Sequence, residues 1–152
     1  LLLLAEVTAY HKKQGHSLVQ ALEAIYQKHG YYQEKTLSKQ FQGQLGKKKM
    51  TQVMADLRHK NFESMAGQTV VTSYDYLKQE ARGADGLVAH LDLPQSNVLK
   101  YQLADGSWLA FRPSGTEPKI KLYYGIRADS RQALKDKEAV FDQVMADLIP
   151  DA

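Results

Sequence analysis

A pair of alternating segments around an Asp-Gly turn constrains the fold of this chain more than any other feature. Apolar and polar residues alternate from Leu99 to Leu103, which is the period of a strand with one buried face. Asp105-Gly106 follows, and this dipeptide favours the tight turn of a β-hairpin. Residues 108–112 return as the partner strand. The hairpin therefore predicts an antiparallel sheet.

Two further segments with strand character flank this hairpin. Residues 68–76, "QTVVTSYDY", precede it, and the alternating residues 120–126 follow it. The intervening residues 76–96 are irregular and carry turn-forming glycine and proline residues. The sequence therefore predicts a four-stranded, mainly antiparallel sheet.

Segments with helical periodicity precede and follow the predicted strands in the sequence. The first stripe has apolar residues at positions i, i+3, i+4 and i+7, namely Met50, Val53, Met54 and Leu57. The second begins after a cap at Asp129 or Ser130, ends at Pro150, and consists of Leu134, Phe141, Met145 and Leu148. Residues 47–152 therefore predict an α+β fold in which helices cover one face of the sheet.

The first 46 residues differ from the rest. Two short helices are predicted, the second with a capping box formed by Ser17 and Gln20 and with Gly30 at its end. Residues 31–46 have weak periodicity and two glycines, which is typical of a connector. Because the chain starts with the apolar run "LLLLAEV" and without Met, we expect it to be part of a longer protein whose other segments cover these helices.

The stretch "FRPSGTEPKIKLYYG", residues 111–125, concentrates hydrogen-bond donors between two strands. A phosphate monoester carries up to two negative charges and three strongly accepting oxygens. Arg112 offers a planar fork of donors, and Ser114 and Thr116 offer hydroxyl groups. Gly115 permits a tight turn that presents backbone N–H groups, and Lys121 alternates to the same side. These residues predict a phosphate-binding loop, and the alternative is a plain exposed hairpin loop.

Two other charged residues of this loop have less defined roles. Glu117 would repel a phosphate, so it either points away or accepts a hydrogen bond from a sugar hydroxyl. Lys119 is a possible second contact in the loop. Glu117 and Lys119 are therefore candidate sugar or loop contacts.

Composition excludes several other kinds of site. The chain has no cysteine, which excludes disulfides and thiolate chemistry, and its five histidines show no metal-binding spacing. No metal ligand and no catalytic residue is therefore assigned. A net charge of +3 is too modest to indicate nucleic acid as a partner, and no apolar run is long enough for a membrane span. A stand-alone basic α+β module that binds nucleic acid is kept as the alternative function.

The loop sequence R-P-S-G-T-E-P-K closely resembles the phosphate-binding loop in the C-terminal domain of the α-D-phosphohexomutases, the phosphoglucomutase and phosphomannomutase family. The start of the chain is similar to the end of the third domain of that family. The resemblance implies that residues 1–45 are the helical end of that domain plus a linker. It implies that residues 46–152 are the C-terminal domain, with a TBP-like sheet.

The resemblance also implies a function. Members of the family are cytoplasmic isomerases of carbohydrate metabolism that interconvert hexose 1-phosphate and hexose 6-phosphate. They use a phosphoserine and Mg²⁺, which upstream domains of the same chain hold, and the full enzyme uses a hexose 1,6-bisphosphate activator. The C-terminal domain binds the substrate phosphate and closes the cleft. In this chain the matching residues are Arg112, Ser114, Gly115, Thr116 and Lys121, and the chain by itself is expected to be inactive.

Overall fold

A computed structural model describes residues 1–43 and 45–149 of this chain. The helices are α1 (Leu2–Lys13), α2 (Leu18–His29), α3 (Gly46–His59) and α4 (Arg131–Leu148). The strands are β1 (Tyr31–Gln40), β2 (Ser64–Met65), β3 (Gln68–Asp75), β4 (Glu80–Gly83), β5 (Val88–His90), β6 (Leu99–Leu103), β7 (Trp108–Pro113) and β8 (Lys119–Ala128). The predicted α+β class is confirmed.

The strands form one sheet in the order β1-β8-β7-β6-β3-β4-β5, and β2 pairs with β3 at its side. All of these pairs are antiparallel. The predicted hairpin and its two flanking strands are therefore confirmed as β6, β7, β3 and β8. The predicted count of four is wrong, because the described residues contribute eight strands.

Strand β1 is the largest difference between the predicted and the observed fold. Residues 31–46 were expected to form a connector, but Tyr31–Gln40 pair with β8 along ten residues, from Ala128 to Lys119. The half-buried positions of β1 include polar residues such as Gln33 and Lys35, so its period is not visible as hydrophobicity. Residues 31–40 thus belong to the same sheet as the hairpin. The domain boundary at residue 45 stays a prediction.

Strands β4 and β5 lie in the segment that was expected to be irregular. They have four and three residues, and every residue of β5 is exposed. Strands this short, without a buried face, carry no readable alternation in the sequence.

The core lies between the sheet and helices α3 and α4. The most deeply buried strand residues are Leu109, Phe111, Ile120, Leu122 and Tyr124, all 0% exposed. From α4, Phe141 packs on the ring of Tyr124, with ring centres 5.4 Å apart. The Ser130 side chain caps α4 by accepting a hydrogen bond from the Ala133 N–H at 3.1 Å. The predicted stop at Pro150 lies outside the described residues.

Strand β1 is joined to α4 by charge as well as by packing. The Lys35 ammonium donates to Glu138 at 2.8 Å and to Asp142 at 2.6 Å. These carboxylates raise the pKa of Lys35 above its usual range. The Tyr124 hydroxyl donates to the same Asp142. The polar strand β1 is thus held against helix α4 by the ion pairs of Lys35 with Glu138 and Asp142.

Helices α1 and α2 are confirmed, and so is the capping box of Ser17 and Gln20. Neither helix has a buried residue in the described chain. Their large apolar side chains are therefore exposed, and Leu3 is 73% and Ile25 is 55% exposed.

The face of the sheet opposite α3 and α4 is called the open face below. It is formed by the strand residues that alternate with the buried ones. In β8 these include Lys121 and Tyr123, and in β7 they include Trp108, Ala110 and Arg112. Apart from the small Ala110, these residues are half-buried or exposed.

Candidate functional site

The donor-rich loop is a fixed extension of the β7–β8 hairpin. The Ser114 N–H donates to the Lys119 carbonyl at 2.8 Å, which continues the strand pairing by one step. The Pro118 carbonyl accepts from the Phe41 N–H, also at 2.8 Å. Because Phe41 is itself buried and directly follows β1, this contact ties the loop to the end of the sheet.

The structure brings four of the predicted phosphate contacts around one pocket of about 240 Å³. The pocket is lined by Arg112, Pro113, Ser114, Gly115, Lys121 and Tyr123. Arg112 and Lys121 are direct cross-strand partners. Like charges opposite one another destabilise a sheet, and among residues 1–43 and 45–149 no acidic residue lines this pocket. An anion between the two cations would remove that repulsion.

The loop also offers neutral donors. The Ser114 Oγ accepts a hydrogen bond from the Glu117 N–H at 3.3 Å, so the hydroxyl proton is left to donate elsewhere. The N–H groups of Gly115 and Thr116 have no hydrogen-bond acceptor within residues 1–43 and 45–149. Thr116 itself is exposed and does not line the pocket, so its predicted phosphate contact stays a prediction.

The expected reason for the glycine in this loop was wrong. Gly115 does not have a positive φ, so the turn does not depend on the backbone freedom of glycine. A Cβ atom at this position would meet no atom within 4 Å. Glycine therefore leaves open space above the backbone, where a ligand could approach the N–H groups closely.

Glu117 and Lys119 form an ion pair with each other, and neither lines the pocket. The hydrogen bond and charge of Lys119 lower the pKa of Glu117, with a smaller effect from the charge of Lys121. A carboxylate beside the loop is thus neutralised by its neighbour and leaves the pocket cationic.

Sequence reasoning missed the place of Tyr123 in this pocket. The pair Tyr123-Tyr124 was interpreted as packing, because alternation sends the two rings to opposite faces. Tyr124 is indeed buried, but Tyr123 lies on the open face two residues from Lys121. The same alternation that places Lys121 beside the loop could have placed Tyr123 there too.

A second polar pocket, of about 350 Å³, lies at the end of α3 and was not predicted. Arg58 and Asp75 both line it, and Arg58 donates to Asp75 at 2.8 Å and to Asn97 at 2.7 Å. Both members of the ion pair are nearly buried, and the pair joins α3 to the end of β3. The geometry therefore indicates a structural ion pair that holds α3 against β3.

Metal and membrane features are absent from the part of the chain that the structure describes. It has no group of three or more His, Asp or Glu side chains that could hold a metal ion. The cationic pocket does not fit Mg²⁺ either, since that ion takes oxygen ligands and carboxylates. No described helix is both long and apolar enough to cross a membrane.

An antiparallel sheet with helices on one face, and with a cationic loop pocket at the end of two inner strands, defines an α+β domain with a candidate anion site. Residues 7–143 match the family "Phosphoglucomutase/phosphomannomutase, C-terminal domain". The chain belongs to this family.

Individual relatives agree with this assignment. The chain is 33% identical over 148 residues to the phosphoglucomutase of Staphylococcus haemolyticus, covering 96% of this chain and 25% of that protein. It is 36% identical over 121 residues to the phosphoglucomutase of Staphylococcus saprophyticus, covering 78% and 21%. The chain therefore spans about a quarter or less of the curated relatives it matches.

A solved structure shows the same fold. The chain is similar to parafusin, a phosphoglucomutase from Paramecium described as an open form, with a TM-score of 0.51 and 17% identity. The match covers 93% of this chain and 26% of that one. The alternative of a stand-alone nucleic-acid module finds no support in these comparisons.

Proposed function

We propose that this chain is the phosphosugar-binding segment of a phosphohexomutase, in which the loop pocket holds the phosphate of a hexose phosphate. The whole enzyme interconverts hexose 1-phosphate and hexose 6-phosphate in the cytoplasm. The present segment binds the substrate phosphate that is not being transferred and closes the cleft over it. Mg²⁺ and the phosphoserine are assigned to upstream domains, and the hexose 1,6-bisphosphate activator to the full enzyme, so this segment supplies binding and no catalytic group.

The observation that carries the proposal is the facing pair of Arg112 and Lys121 in a pocket whose described lining contains no acidic residue. Arg112 can grip two phosphate oxygens through its planar fork, and Lys121 adds a second charge from the neighbouring strand. The Ser114 hydroxyl and the N–H groups of Gly115 and Thr116 supply neutral donors. Together they match the charge and the acceptors of one phosphate monoester.

The pairing of Glu117 with Lys119 supports the same conclusion. A carboxylate in the pocket would repel phosphate, but this one is held by its neighbouring ammonium. We propose that Glu117 and Lys119 stabilise the loop and that either can reach a sugar hydroxyl from its rim.

Inorganic phosphate titrated into the isotope-labelled chain tests the proposal by NMR. We expect the amide signals of Ser114, Gly115 and Thr116 to shift, and Arg112→Ala to weaken binding by about tenfold or more. Arg127→Ala is the matched control, because Arg127 is exposed at the far end of β8. Equal affinity of the Arg112→Ala variant, or shifts confined to other parts of the chain, would reject the phosphate site.

Salt dependence separates the two classes of function. A protein that binds nucleic acid contacts many phosphates and loses affinity steeply as salt rises. A site for a single phosphate has a shallow dependence. Titration of single-stranded DNA at two salt concentrations should therefore detect weak binding at most, and a steep dependence with tight binding at low salt would favour the nucleic-acid module.

A further inference from the structure

Tyr101 of β6 is a buried tyrosine whose hydroxyl group makes no hydrogen bond within residues 1–43 and 45–149. Only 4% of the residue is exposed, and its ring packs edge-on against Phe62 and Phe111. Buried tyrosine hydroxyls usually have a partner, because an unmade hydrogen bond costs free energy. The oxygen is not fully enclosed, since every fully enclosed side-chain oxygen or nitrogen of the described residues has a partner. It therefore opens into the polar pocket of about 350 Å³ at the end of α3, which Tyr101 lines.

The ion pair beside this hydroxyl does not satisfy it. Burial, and to a smaller degree the charge of Asp75, raise the pKa of Tyr101, so the hydroxyl keeps its proton and is a donor. The Asp75 carboxylate already accepts from Arg58 at 2.8 Å and from two backbone N–H groups of the β3–β4 turn at 3.1 and 3.4 Å. The Arg58 guanidinium uses Nε and Nη2, while its Nη1 group makes no hydrogen bond with a described residue. The pocket thus has two donor groups without an acceptor.

The remaining charges around the pocket favour an anion. Arg58 and Asp75 neutralise each other. With histidine counted as neutral, the other charged lining residues are the cations Lys60, Lys78 and Arg82 and one carboxylate, Glu80. None of these three cations forms an ion pair with a residue in the described ranges. An excess of positive charge around a concave site raises the local concentration of anions.

We propose that this pocket binds an anionic small molecule, through a phosphate or carboxylate group that accepts hydrogen bonds from the Tyr101 hydroxyl and the Arg58 guanidinium. Hydrogen bonds to a charged acceptor are stronger than those between neutral groups, so such an anion would satisfy both donors well. The site is separate from the loop pocket, with which it shares no lining residue. Tyr101 belongs to the buried positions of β6, which face the helices, whereas the loop pocket lies on the open face.

A second pocket, of about 280 Å³, gives the ligand room for an uncharged body. It shares Asn61, Ser73 and Arg82 with the first pocket. Arg82 is its only cation among the described lining residues, which also include the apolar Phe62 and the acidic Glu63. The anionic group therefore belongs in the first pocket and an uncharged part in the second. The ligand class is an organic phosphate or carboxylate.

Inorganic phosphate and acetate, titrated separately into the isotope-labelled chain carrying Arg112→Ala, test this site by NMR. The substitution weakens phosphate binding in the loop pocket. We expect the amide signals of Asn61, Ser73 and Lys78 to shift. A response to phosphate alone assigns a phosphate group, a response to acetate alone assigns a carboxylate, and a response to both assigns a site that accepts either. Tyr101→Phe, which removes only the hydroxyl, should weaken this binding by about three- to tenfold.

Tyr124→Phe in the same background is the matched control, because it removes the hydroxyl of another buried tyrosine, one that donates to Asp142. It should leave the anion affinity unchanged and lower the melting temperature. Tyr101→Phe should not lower the melting temperature, since its hydroxyl has no partner to lose. Unchanged anion affinity of the Tyr101→Phe variant, or no response at this pocket to either anion, would overturn the proposal. An equal loss of melting temperature in both variants would also overturn it, because the Tyr101 hydroxyl would then have a partner within the chain.

Discussion

Gly125 is the position at which the structure makes its sharpest prediction about stability. Gly125 and Trp108 are direct partners across β8 and β7, and the indole lies over the glycine. A Cβ atom added at Gly125 would lie 2.7 Å from Cε2 of Trp108 and closer still to its Nε1. Real Cβ contacts are not that short, so Gly125→Ala must displace the indole.

The expected cost follows from three effects. Forcing an additional methyl group into packed surroundings costs about 1–3 kcal/mol. Displacing Trp108 also weakens its contact with the Lys100 ammonium, which contributes about 0.5–1 kcal/mol at an exposed site. Replacing a strand glycine by alanine returns about 0.5–1 kcal/mol of backbone entropy. We therefore expect Gly125→Ala to lower the free energy of unfolding by about 1–3 kcal/mol.

Urea unfolding followed by circular dichroism measures this change. Gly115→Ala is the matched control: because Gly115 has no positive φ and has open space at the Cβ position, this variant should be as stable as the parent or up to about 1 kcal/mol more stable. Trp108→Leu removes the clashing ring, and in that background the cost of Gly125→Ala should largely disappear. If Gly125→Ala were as stable as the parent, or equally costly with and without the indole, the reasoning would be refuted.

Three further predictions concern function and local stability. In the full-length enzyme, Arg112→Ala should lower kcat/KM by about 10- to 100-fold with an unchanged melting temperature, and Arg112→Lys should recover part of this loss. Ser114→Ala should weaken substrate binding by about 0.5–1.5 kcal/mol. Steady-state kinetics measure these effects, and parental efficiency of the Arg112→Ala variant would contradict the prediction. The isolated chain should not turn over glucose 1-phosphate, because phosphoryl transfer needs a nucleophile and its metal, and turnover above a contaminant control would show otherwise. In hydrogen exchange, α1 and α2 should exchange faster than β1, since neither helix has a buried residue, and equally slow exchange would mean that a partner covers them.

The sequence predicted those elements whose hydrophobic period matches their burial. In β6 and β8 the buried residues are the apolar ones, so alternation alone located both strands. The stripe of α4 was found for the same reason, with Phe141 and Met145 buried as expected. Strand β1 was missed because its inward positions include Lys35, which is held by carboxylates of α4 from over 100 residues away. No local pattern records a contact between segments so distant in the chain.

The loop illustrates the same limit for the candidate site. The two cations and the Ser114 hydroxyl that line the pocket are close together in the sequence, so an anion site could be predicted from the loop before any fold was known. The role of Gly115 could not be predicted, because a glycine can serve either a left-handed backbone or a close approach by a ligand. Only the φ angle in the structure distinguishes these two reasons. The facing of Arg112 and Lys121 is set by the register of β7 and β8, which the sequence does not specify. A site that follows the chain is therefore predictable from sequence, whereas one that crosses the sheet needs the pairing of the strands.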